Sequence, residues 1–154
     1  AAVKLERMAY EIAEELGDTS ETIILAGVRD NGVVMAHILA RLIKEIAGLE
    51  SEIIELALDK RRPGPVTLNR EPDFNNRIII VVDDVVNSGK TSLYALKPFL
   101  NSHPRQIQLL TLIERTHKAF PVKADYVGIS LATTLQEHIY VEVSGDRVTG
   151  AYMI

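Results

Sequence analysis

The chain has 154 residues, a length that fits one domain with a hydrophobic core of its own. Hydrophobic residues make up 47% of it and charged residues 25%, as in an ordinary globular protein, and no apolar run approaches the roughly 20 residues of a membrane span. The net charge of −4 argues against a dedicated nucleic-acid binder, and the lack of cysteine excludes disulfides and thiolate metal sites and is typical of a reducing cytoplasm.

The first half of the chain alternates helical and strand-like patterns. Apolar residues recur at helical spacing in two segments, while two short apolar runs rich in β-branched residues predict buried strands. In chain order, the predicted elements are a helix over 2–16, a strand over 22–28, a turn over 29–32, a helix over 33–47 and a strand over 53–59. Because the chain begins inside a helical pattern without an initiator Met, we expect that residues before Ala1 are missing or were removed.

The second half follows a proline-rich stretch, 60–76, whose mixed charges and glycine predict a loop. Beyond it, the predicted elements are a strand over 77–82, a helix over 90–100, a strand over 107–113 and short strands over 126–130, 138–143 and 147–153, the last two joined by a turn over 144–146. Continuous apolar strands that alternate with amphipathic helices favour a parallel sheet covered on both faces. We therefore predict an α/β fold, and a single domain over residues 1–154 because no repeat or second core is visible.

The segment from Ile78 to Thr91 carries the most specific chemistry of the chain. In an open parallel sheet, ligands bind beyond the carboxyl ends of the strands, and here two adjacent carboxylates, Asp83 and Asp84, close a predicted strand. A loop of small and hydroxyl residues follows, and then a helix begins, whose first N–H groups and positive dipole end can hold a phosphate. Gly89 in this loop lets the backbone approach an anion closely.

The two carboxylates restrict the ligand, because negative charges at the mouth of a plain phosphate loop would repel phosphate. A ligand that carries both a phosphate and a vicinal diol resolves this conflict. The loop then binds the phosphate, while Asp83 and Asp84 accept hydrogen bonds from ribose hydroxyls. The same carboxylates can hold Mg²⁺, directly or through water, since this hard cation prefers oxygen ligands.

Three other interpretations of this segment stay open. The run from Ser88 to Ser92 is similar to the end of a Walker A loop, but that loop needs a glycine five positions before Gly89, where this chain has Asp84. Receiver domains and acyl-phosphate enzymes also carry acidic pairs after a strand, although in a different arrangement and without the hydroxyl–glycine loop. Finally, the segment could be a capped helix after a buried strand, with both carboxylates merely solvated.

The segment from Ile78 to Thr91 resembles the phosphoribosyl pyrophosphate-binding motif of type I phosphoribosyltransferases, and the resemblance implies the Rossmann-like fold of that family. It implies that Asp83 and Asp84 hold the ribose 2′- and 3′-hydroxyls, and that Mg²⁺ binds the diphosphate. It also implies a loop around the 5′-phosphate that is made of Val85, Val86, Asn87, Ser88, Gly89, Lys90 and Thr91.

The turn after the first predicted strand is a candidate for a second anion site. Arg29 supplies a positive charge there and the turn supplies N–H groups, but such turns are common and the signal alone is weak. The resemblance implies a pyrophosphate loop made of Val28, Arg29, Asp30, Asn31 and Gly32, with a strained, sometimes cis, peptide at Arg29–Asp30. Regulator-type members of the family usually have Lys-Thr-Arg in this loop, so this chain has one positive charge fewer.

The segment from Leu112 to Gly128 narrows the resemblance. It is similar to the pyrimidine-operon regulators with uracil phosphoribosyltransferase activity, which share its Arg–His run and its Ala-Asp-Tyr stretch. Arg115 and His117 are therefore candidates for contact with the base, although such residues more often lie on the surface at a strand end. Together with Lys118 and Lys123, they could form a patch that binds RNA, as in the regulators.

The resemblance also sets the expected reaction, which is transfer of ribose 5-phosphate from phosphoribosyl pyrophosphate to a nucleobase. Arg29 and Mg²⁺ would neutralise the leaving diphosphate, and Lys60 or Arg61 would reach over it from a hood that is compressed into residues 60–76. Asn87 lies where purine-specific enzymes tend to carry an aspartate thought to assist proton removal, and an amide cannot act as a general base.

Uracil is therefore the expected acceptor, and a cytoplasmic homodimer or larger homo-oligomer is the expected form. Two alternatives remain. One is a hypoxanthine–guanine phosphoribosyltransferase, and the other is a non-catalytic, nucleotide-sensing regulator that binds RNA.

Overall fold

The computed structural model of the chain describes residues 2–59, 61–132, 139–144 and 147–153. Its helices and strands in chain order are α1 (Ala2–Leu16), β1 (Ile23–Val28), α2 (Asn31–Ala47), β2 (Ser51–Ala57), β3 (Thr67–Leu68), β4 (Ile78–Val86), α3 (Lys90–Ala95), β5 (Gln106–Arg115), β6 (Tyr126–Leu131), β7 (Ile139–Ser144) and β8 (Arg147–Met153). A short 3₁₀ helix, Lys97–Phe99, follows α3. Helices and strands alternate as predicted, and the α/β class is confirmed.

Six strands form one sheet in the order β3-β2-β1-β4-β5-β6. Five of them are parallel, as predicted, while β3 pairs antiparallel with β2 and lies in the stretch predicted as a loop. The chain adds β2 on one side of β1 but places β4, β5 and β6 on the other, so the strand order reverses between β1 and β4. Ligands of open α/β sheets bind in the crevice at such a reversal, beyond the carboxyl ends of the strands.

Both faces of this sheet are covered. On one face, α1 and α2 bury side chains such as Met8 and Leu39 in a cluster that includes Ile80 of β4. On the other face, Phe74 and Phe99 pack edge to face, with ring centroids 4.9 Å apart, in a second cluster of buried residues. Close packing on both sides fixes the central strands, and with them the residues at the strand ends.

The helix predicted over 90–100 is wrong in its second half. α3 ends at Ala95, and the 3₁₀ helix that contains Pro98 follows it. Pro98 has no N–H to donate, and in an α-helix its ring would clash with the carbonyl group of Tyr94. The α-helical hydrogen bonds therefore stop before Pro98.

β4 also differs from its prediction, which ended the strand at residue 82. It continues to Val86 because β5 runs beside it, with Asp83 opposite Thr111 and Val86 opposite Glu114. The two aspartates therefore lie inside a paired strand rather than after it.

The strands β7 and β8 form a separate antiparallel pair. The turn predicted between them falls partly on residues 145 and 146, which lie outside the described residues. Within the described ranges, no helix combines the length and the apolar character that a membrane crossing requires.

Candidate functional site

The candidate site lies at the carboxyl ends of β1 and β4, where the strand order reverses. β1 leads through the turn 29–30 into α2, and β4 leads through the loop 87–89 into α3. Asp83 and Asp84, near the end of β4, are only 1% and 4% exposed. The interpretation in which these carboxylates are merely solvated is therefore wrong.

Hydrogen bonds orient both carboxylates. Oδ1 of Asp83 accepts the N–H of Asp84 at 2.9 Å, and Oδ1 of Asp84 accepts the N–H of Val85 at 2.8 Å. The second oxygen of Asp84 accepts a hydrogen bond from Nδ2 of Asn31, also at 2.8 Å. Hydrogen bonds to ionised carboxylates are strong, so each side chain has a defined orientation before a ligand binds.

The turn after β1 contacts β4 directly, so the two predicted anion sites form one continuous site. Asn31 donates the hydrogen bond to Asp84, and a Cβ atom at Gly32 would lie 2.3 Å from the carbonyl oxygen of Val82. Only a residue without a side chain permits this approach. Sequence reasoning placed Asn31 and Gly32 in a pyrophosphate loop, but it missed their contact with β4, because the hydrogen-bonded pair is 53 residues apart in the chain.

Arg29 lies on the solvent side of this turn. Its side chain is 56% exposed, with Nε 3.5 Å from the carboxylate of Asp30 and 4.0 Å from that of Glu55. Its backbone N–H donates to the carbonyl oxygen of Leu56 on β2 at 2.9 Å. The Arg29–Asp30 peptide bond is cis, in agreement with the expectation from the resemblance. The hydrogen bond to Leu56 holds the backbone of Arg29 against β2, while its guanidinium is accessible to an anionic ligand.

The predicted phosphate loop joins the end of β4 to the first turn of α3. Gly89 has a φ of 88° at the N-terminus of α3, a backbone conformation that favours glycine. Oγ of Ser88 accepts the N–H of Lys90 at 3.3 Å. Because α3 has only six residues, few peptide dipoles add up at its start. The N–H groups and hydroxyls of the loop are therefore a stronger means of binding an anion than the helix dipole.

The phosphate loop is covered by a segment whose contact with it was not predicted from sequence, although His117 of this segment was a candidate for contact with the base. In residues 116–124, called the cover segment from here on, the N–H groups of Ala119 and Phe120 both donate to the carbonyl oxygen of Ser88, at 3.1 and 3.0 Å. A Cβ atom at Gly89 would lie 2.7 Å from a methyl group of this segment. The glycine at position 89 is the only sequence signal of this contact, and it does not identify the residues that pack against it.

The two candidates for base contact near the end of β5 have opposite environments. Arg115 is 2% exposed, and its Nε and Nη2 have no hydrogen-bond partner in the part of the chain that the structure describes. Its backbone pairs with Leu131 of β6. The interpretation of Arg115 as a surface residue is therefore wrong, and a base could reach its guanidinium only if neighbouring groups moved. His117 is exposed, in agreement with the alternative interpretation as a surface residue, and its contact with a base stays a prediction.

The basic patch predicted from four residues is smaller in the structure. Arg115 is buried, and the side chain of Lys118 is 9% exposed and forms an ion pair with Glu114. His117 and Lys123 are exposed. Nucleic-acid binding needs several accessible charges along the phosphate backbone, and two side chains supply few of them.

The residues expected to reach over a diphosphate follow β2. Lys60 lies outside the described residues. Arg61 is exposed, and its N–H donates to Oδ1 of Asp59 at 2.9 Å. Because β2 is parallel to β1, Arg61 lies beyond the same edge of the sheet as the two aspartates of β4.

The oxygen ligands of the site supply part of what Mg²⁺ needs. Among the described residues, no group of three or more His, Cys, Asp or Glu side chains could hold a metal ion. Asp83 and Asp84 supply two carboxylates, and Mg²⁺ sites commonly take one or two carboxylates from the protein, with substrate phosphates and water completing the shell. The residues therefore fit a cation that binds together with a phosphate ligand.

Comparisons with known proteins give the class of this chain. Residues 1–144 match the family model described as "Phosphoribosyl transferase domain". The chain is 32% identical over 151 residues to a relative from Clostridium acetobutylicum named Bifunctional protein PyrR, with 92% of this chain and 84% of the relative covered. A relative of the same name from Streptococcus mutans is 33% identical over 144 residues, with 90% of this chain and 81% of the relative covered.

Two solved structures share the fold. The hypoxanthine phosphoribosyltransferase of Trypanosoma cruzi has a TM-score of 0.74 at 15% identity, over 84% of this chain and 76% of that one. A hypoxanthine-guanine phosphoribosyltransferase from Bacillus anthracis has a TM-score of 0.73 at 23% identity, over 90% of this chain and 79% of that one. The chain belongs to the phosphoribosyltransferase family. The predictions of a type I phosphoribosyltransferase fold and of a phosphoribosyltransferase are confirmed.

Proposed function

We propose that this protein transfers ribose 5-phosphate from phosphoribosyl pyrophosphate to uracil and releases pyrophosphate. One observation carries the proposal: Asp83 and Asp84 are buried and oriented by hydrogen bonds, and Asp84 is joined through Asn31 to the turn proposed to hold the leaving group. The relatives named Bifunctional protein PyrR support uracil, as does the similarity of residues 112–128 to the pyrimidine-operon regulators with uracil phosphoribosyltransferase activity. The amide of Asn87 also disfavours a purine acceptor.

The two carboxylates would hold the ribose. An ionised carboxylate only accepts hydrogen bonds, and a vicinal diol offers two donors, so Asp83 and Asp84 match the 2′- and 3′-hydroxyls. Asp84 is already oriented by hydrogen bonds from Asn31 and Val85. A carboxylate that is oriented in advance reduces the cost of placing the anomeric carbon between acceptor and leaving group.

The 5′-phosphate would bind in the loop from Val85 to Thr91. This loop combines backbone N–H groups with the hydroxyls of Ser88 and Thr91, and Gly89 permits a close approach of the phosphate to the backbone. The cover segment supports the loop from outside through its two hydrogen bonds to Ser88. The anion would therefore meet a loop whose shape is largely set before binding.

The diphosphate would lie at the turn formed by residues 28–32. Arg29 offers an accessible guanidinium there, and Lys60 or Arg61 would approach from the hood. Mg²⁺, when bound, would supply positive charge to the diphosphate, with Asp83 and Asp84 as its protein ligands, directly or through water. Departure of a diphosphate from an anomeric carbon gives the transition state oxocarbenium character, so positioning of the sugar and stabilisation of the leaving group contribute most to catalysis.

The role of the carboxylates is tested by Asp83→Asn combined with Asp84→Asn. We expect the double variant to lose binding of phosphoribosyl pyrophosphate, because the amides remove both negative charges and present donors where the ribose hydroxyls need acceptors. Calorimetric titration measures the affinity, and thermal unfolding shows whether the fold is intact. Asp18→Asn, at an exposed aspartate near the opposite edge of the sheet, is the matched control. Unchanged affinity in the folded double variant would reject the proposal.

The acceptor is tested by a product assay with phosphoribosyl pyrophosphate and uracil, hypoxanthine or guanine, with Mg²⁺ present or chelated. We expect nucleotide formation from uracil, dependent on Mg²⁺. Nucleotide formation from a purine but not from uracil would show that the purine alternative is correct. Full activity after chelation would remove Mg²⁺ from the proposal.

A second role as an RNA-binding regulator is supported by the similarity of residues 112–128 to the pyrimidine-operon regulators and by the relatives named Bifunctional protein PyrR, and the exposed side chains of His117 and Lys123 are the two basic groups of this segment that would contact RNA. Titration with a structured RNA at several salt concentrations tests this role, since phosphate contacts make affinity fall steeply with salt. Affinity no higher than that for an RNA of scrambled sequence would reject it.

The proposal further includes a single domain over residues 1–154, a cytoplasmic location and a homodimer or larger homo-oligomer. The cysteine-free sequence supports the location. Exposed apolar side chains of Val3 and Tyr10 on α1, and of Ile129 on β6, support self-association. A monomer in sedimentation experiments at micromolar concentration would reject the oligomer.

A further inference from the structure

Glu114 and Lys118 form a buried ion pair beside the phosphate loop. Glu114 lies opposite Val86 in the pairing of β5 with β4, so the sheet fixes its position. The side chains of Lys118 and Glu114 are 9% and 8% exposed, and Nζ of Lys118 lies 3.5 Å from Oε1 of Glu114. Burial of two charges costs free energy of desolvation, so such a pair needs hydrogen bonds in addition to its mutual attraction.

Those hydrogen bonds come from the last residue of the cover segment and from the end of β5. Oε2 of Glu114 accepts the N–H of Ala124 at 2.7 Å, and Nζ of Lys118 donates to the carbonyl oxygen of Arg115 at 3.1 Å. Lys118 lies near the start of the cover segment and Ala124 at its end. One carboxylate on β5 therefore ties both ends of a compact loop to the same strand.

The middle of the cover segment contacts the phosphate loop. The N–H groups of Ala119 and Phe120 donate to the carbonyl oxygen of Ser88, and a methyl group of Val122 lies over Gly89. The described part of this segment contains no helix or strand, so its shape depends on the contacts at its ends. Loss of those contacts would therefore loosen the hold on Ser88 and Gly89.

We propose that the Glu114–Lys118 ion pair positions the cover segment against the phosphate loop and thereby sets the affinity of this loop for the 5′-phosphate of the sugar. The inference rests on the proposed function, in which this loop binds that phosphate. Glu114 and Lys118 act through Ser88 and are positioning residues. Residues 28–32 lie on the other side of β4 from β5, and the hydrogen bonds of Ala119 and Phe120 go to Ser88, so we expect the ion pair to act on the phosphate loop rather than on the leaving-group end of the site.

Lys118→Met tests this inference, because it keeps the length of the side chain and removes the ammonium group. The full chain is titrated calorimetrically with two probes, ribose 5-phosphate for the sugar-phosphate end and inorganic pyrophosphate with Mg²⁺ for the other end. We expect the Kd of ribose 5-phosphate to rise roughly 2- to 30-fold, and that of pyrophosphate to stay the same. Lys118→Arg restores a cation and is expected to recover most of the affinity. Lys123→Met, at an exposed lysine of the same segment, is the matched control.

The outcomes separate the inference from the proposed function. If the wild-type protein binds neither probe, the proposed function fails, whatever the variants do. If the wild type binds ribose 5-phosphate and folded Lys118→Met binds it equally well, the positioning role is overturned, and an equal loss for both probes overturns it too. Should Lys118→Met not fold by circular dichroism, Glu114→Gln carries the same expectation, because its amide oxygen still accepts the N–H of Ala124 while the charge is lost.

Discussion

Gly32 is the residue whose lack of a side chain lets two loops share one site. A Cβ atom there would lie 2.3 Å from the carbonyl oxygen of Val82 and 3.3 Å from Cα of Asp83. Backbone atoms cannot turn aside as the end of a side chain can, so Gly32→Ala must displace the turn or β4. We expect a loss of about 1–3 kcal/mol in the free energy of unfolding. We also expect weaker binding of phosphoribosyl pyrophosphate, because Asp83 moves with its strand.

Denaturant unfolding and calorimetry measure these two effects of Gly32→Ala. Gly64→Ala is the matched control, because a Cβ atom at that position meets no atom within 4 Å. Alanine makes the unfolded chain less flexible than glycine does, so Gly64→Ala should be as stable as the wild type or slightly more stable. Equal stability of the two variants would show that the turn and β4 do not approach as closely as described.

Single residues of the site were predictable where their neighbours in sequence carried the signal. Asp83 and Asp84 were found because they are adjacent, follow an apolar strand and precede a glycine loop. The burial of Arg115 was not found, since nothing local distinguishes it from a solvated charge at a strand end. Asn31 was placed in the correct loop, but its hydrogen bond to Asp84 depends on the order of strands in the sheet.

At the scale of elements, one hydrogen-bond network ties α1 to the edge of the sheet. The hydroxyl of Tyr126 lies 2.8 Å from a carboxylate oxygen of Glu15 and 3.0 Å from Oε1 of Gln108, so its one proton is shared between these two acceptors, and Nε2 of Gln108 donates to Glu15 at 2.9 Å. Burial raises the pKa of Tyr126, and the hydrogen bond to Glu15 and its negative charge raise it further. The folded protein therefore keeps Tyr126 protonated at pH values where an unfolded chain ionises.

Tyr126→Phe removes the hydroxyl group of this network. The buried side-chain oxygen of Gln108 then loses its hydrogen-bond donor. We expect a loss of about 1–2 kcal/mol in the free energy of unfolding at neutral pH. Because the pKa of Tyr126 is higher in the folded state, its contribution is complete below about pH 10 and decreases as the pH rises further. Denaturant unfolding at neutral pH and above pH 10 measures the difference in stability between the variant and the wild type. Tyr10→Phe, on the exposed face of α1, is the control. A difference from the wild type that widened above pH 10 would be incompatible with the network.

Whole elements were predictable where pattern and local chemistry agree. The alternation of apolar strands and amphipathic helices gave β1, α2 and β5 within a few residues. The extension of β4 to Val86 was not predictable, because it depends on pairing with β5. The position of the cover segment over Ser88 was missed for the same reason. Pro98 did carry a local signal that ends α3, so that error could have been avoided from sequence.

Over the whole molecule, the groups proposed to bind the ligand and a cluster of stabilising groups lie at opposite ends of the parallel strands. The candidate site lies at the carboxyl ends of the parallel strands. At the amino ends, Arg77 donates to the carbonyl oxygen of Thr22 at 2.9 Å and to Glu52 at 2.8 Å, and Arg70 donates to Glu52 at 2.7 Å. This cluster joins the starts of β1, β2 and β4, the same strands whose far ends hold the site.

Glu52 makes this cluster sensitive to acid. Burial by itself raises the pKa of Glu52, but hydrogen bonds from Arg77 and Arg70 and their charges outweigh it, so the pKa is lower than its usual 4.5. A carboxyl group whose pKa is lowered by folding contributes stability above the unfolded pKa. That contribution is lost as the pH falls through the folded value.

Glu52→Gln tests whether stability and ligand binding depend on different ends of the strands. We expect it to reduce the free energy of unfolding by about 1 kcal/mol at neutral pH, with a difference from the wild type that shrinks as the pH falls below 4.5 and through the lower pKa of the folded state. Glu50→Gln, in an exposed pair with Lys44, is the control and should change stability very little. Because the cluster is remote from the site, Glu52→Gln should bind phosphoribosyl pyrophosphate as the wild type does, whereas Asp84→Asn should lose affinity and stay folded. A comparable loss of affinity in both variants would mean that the amino edge of the sheet controls the geometry of the site, and stability and binding could then no longer be assigned to separate edges.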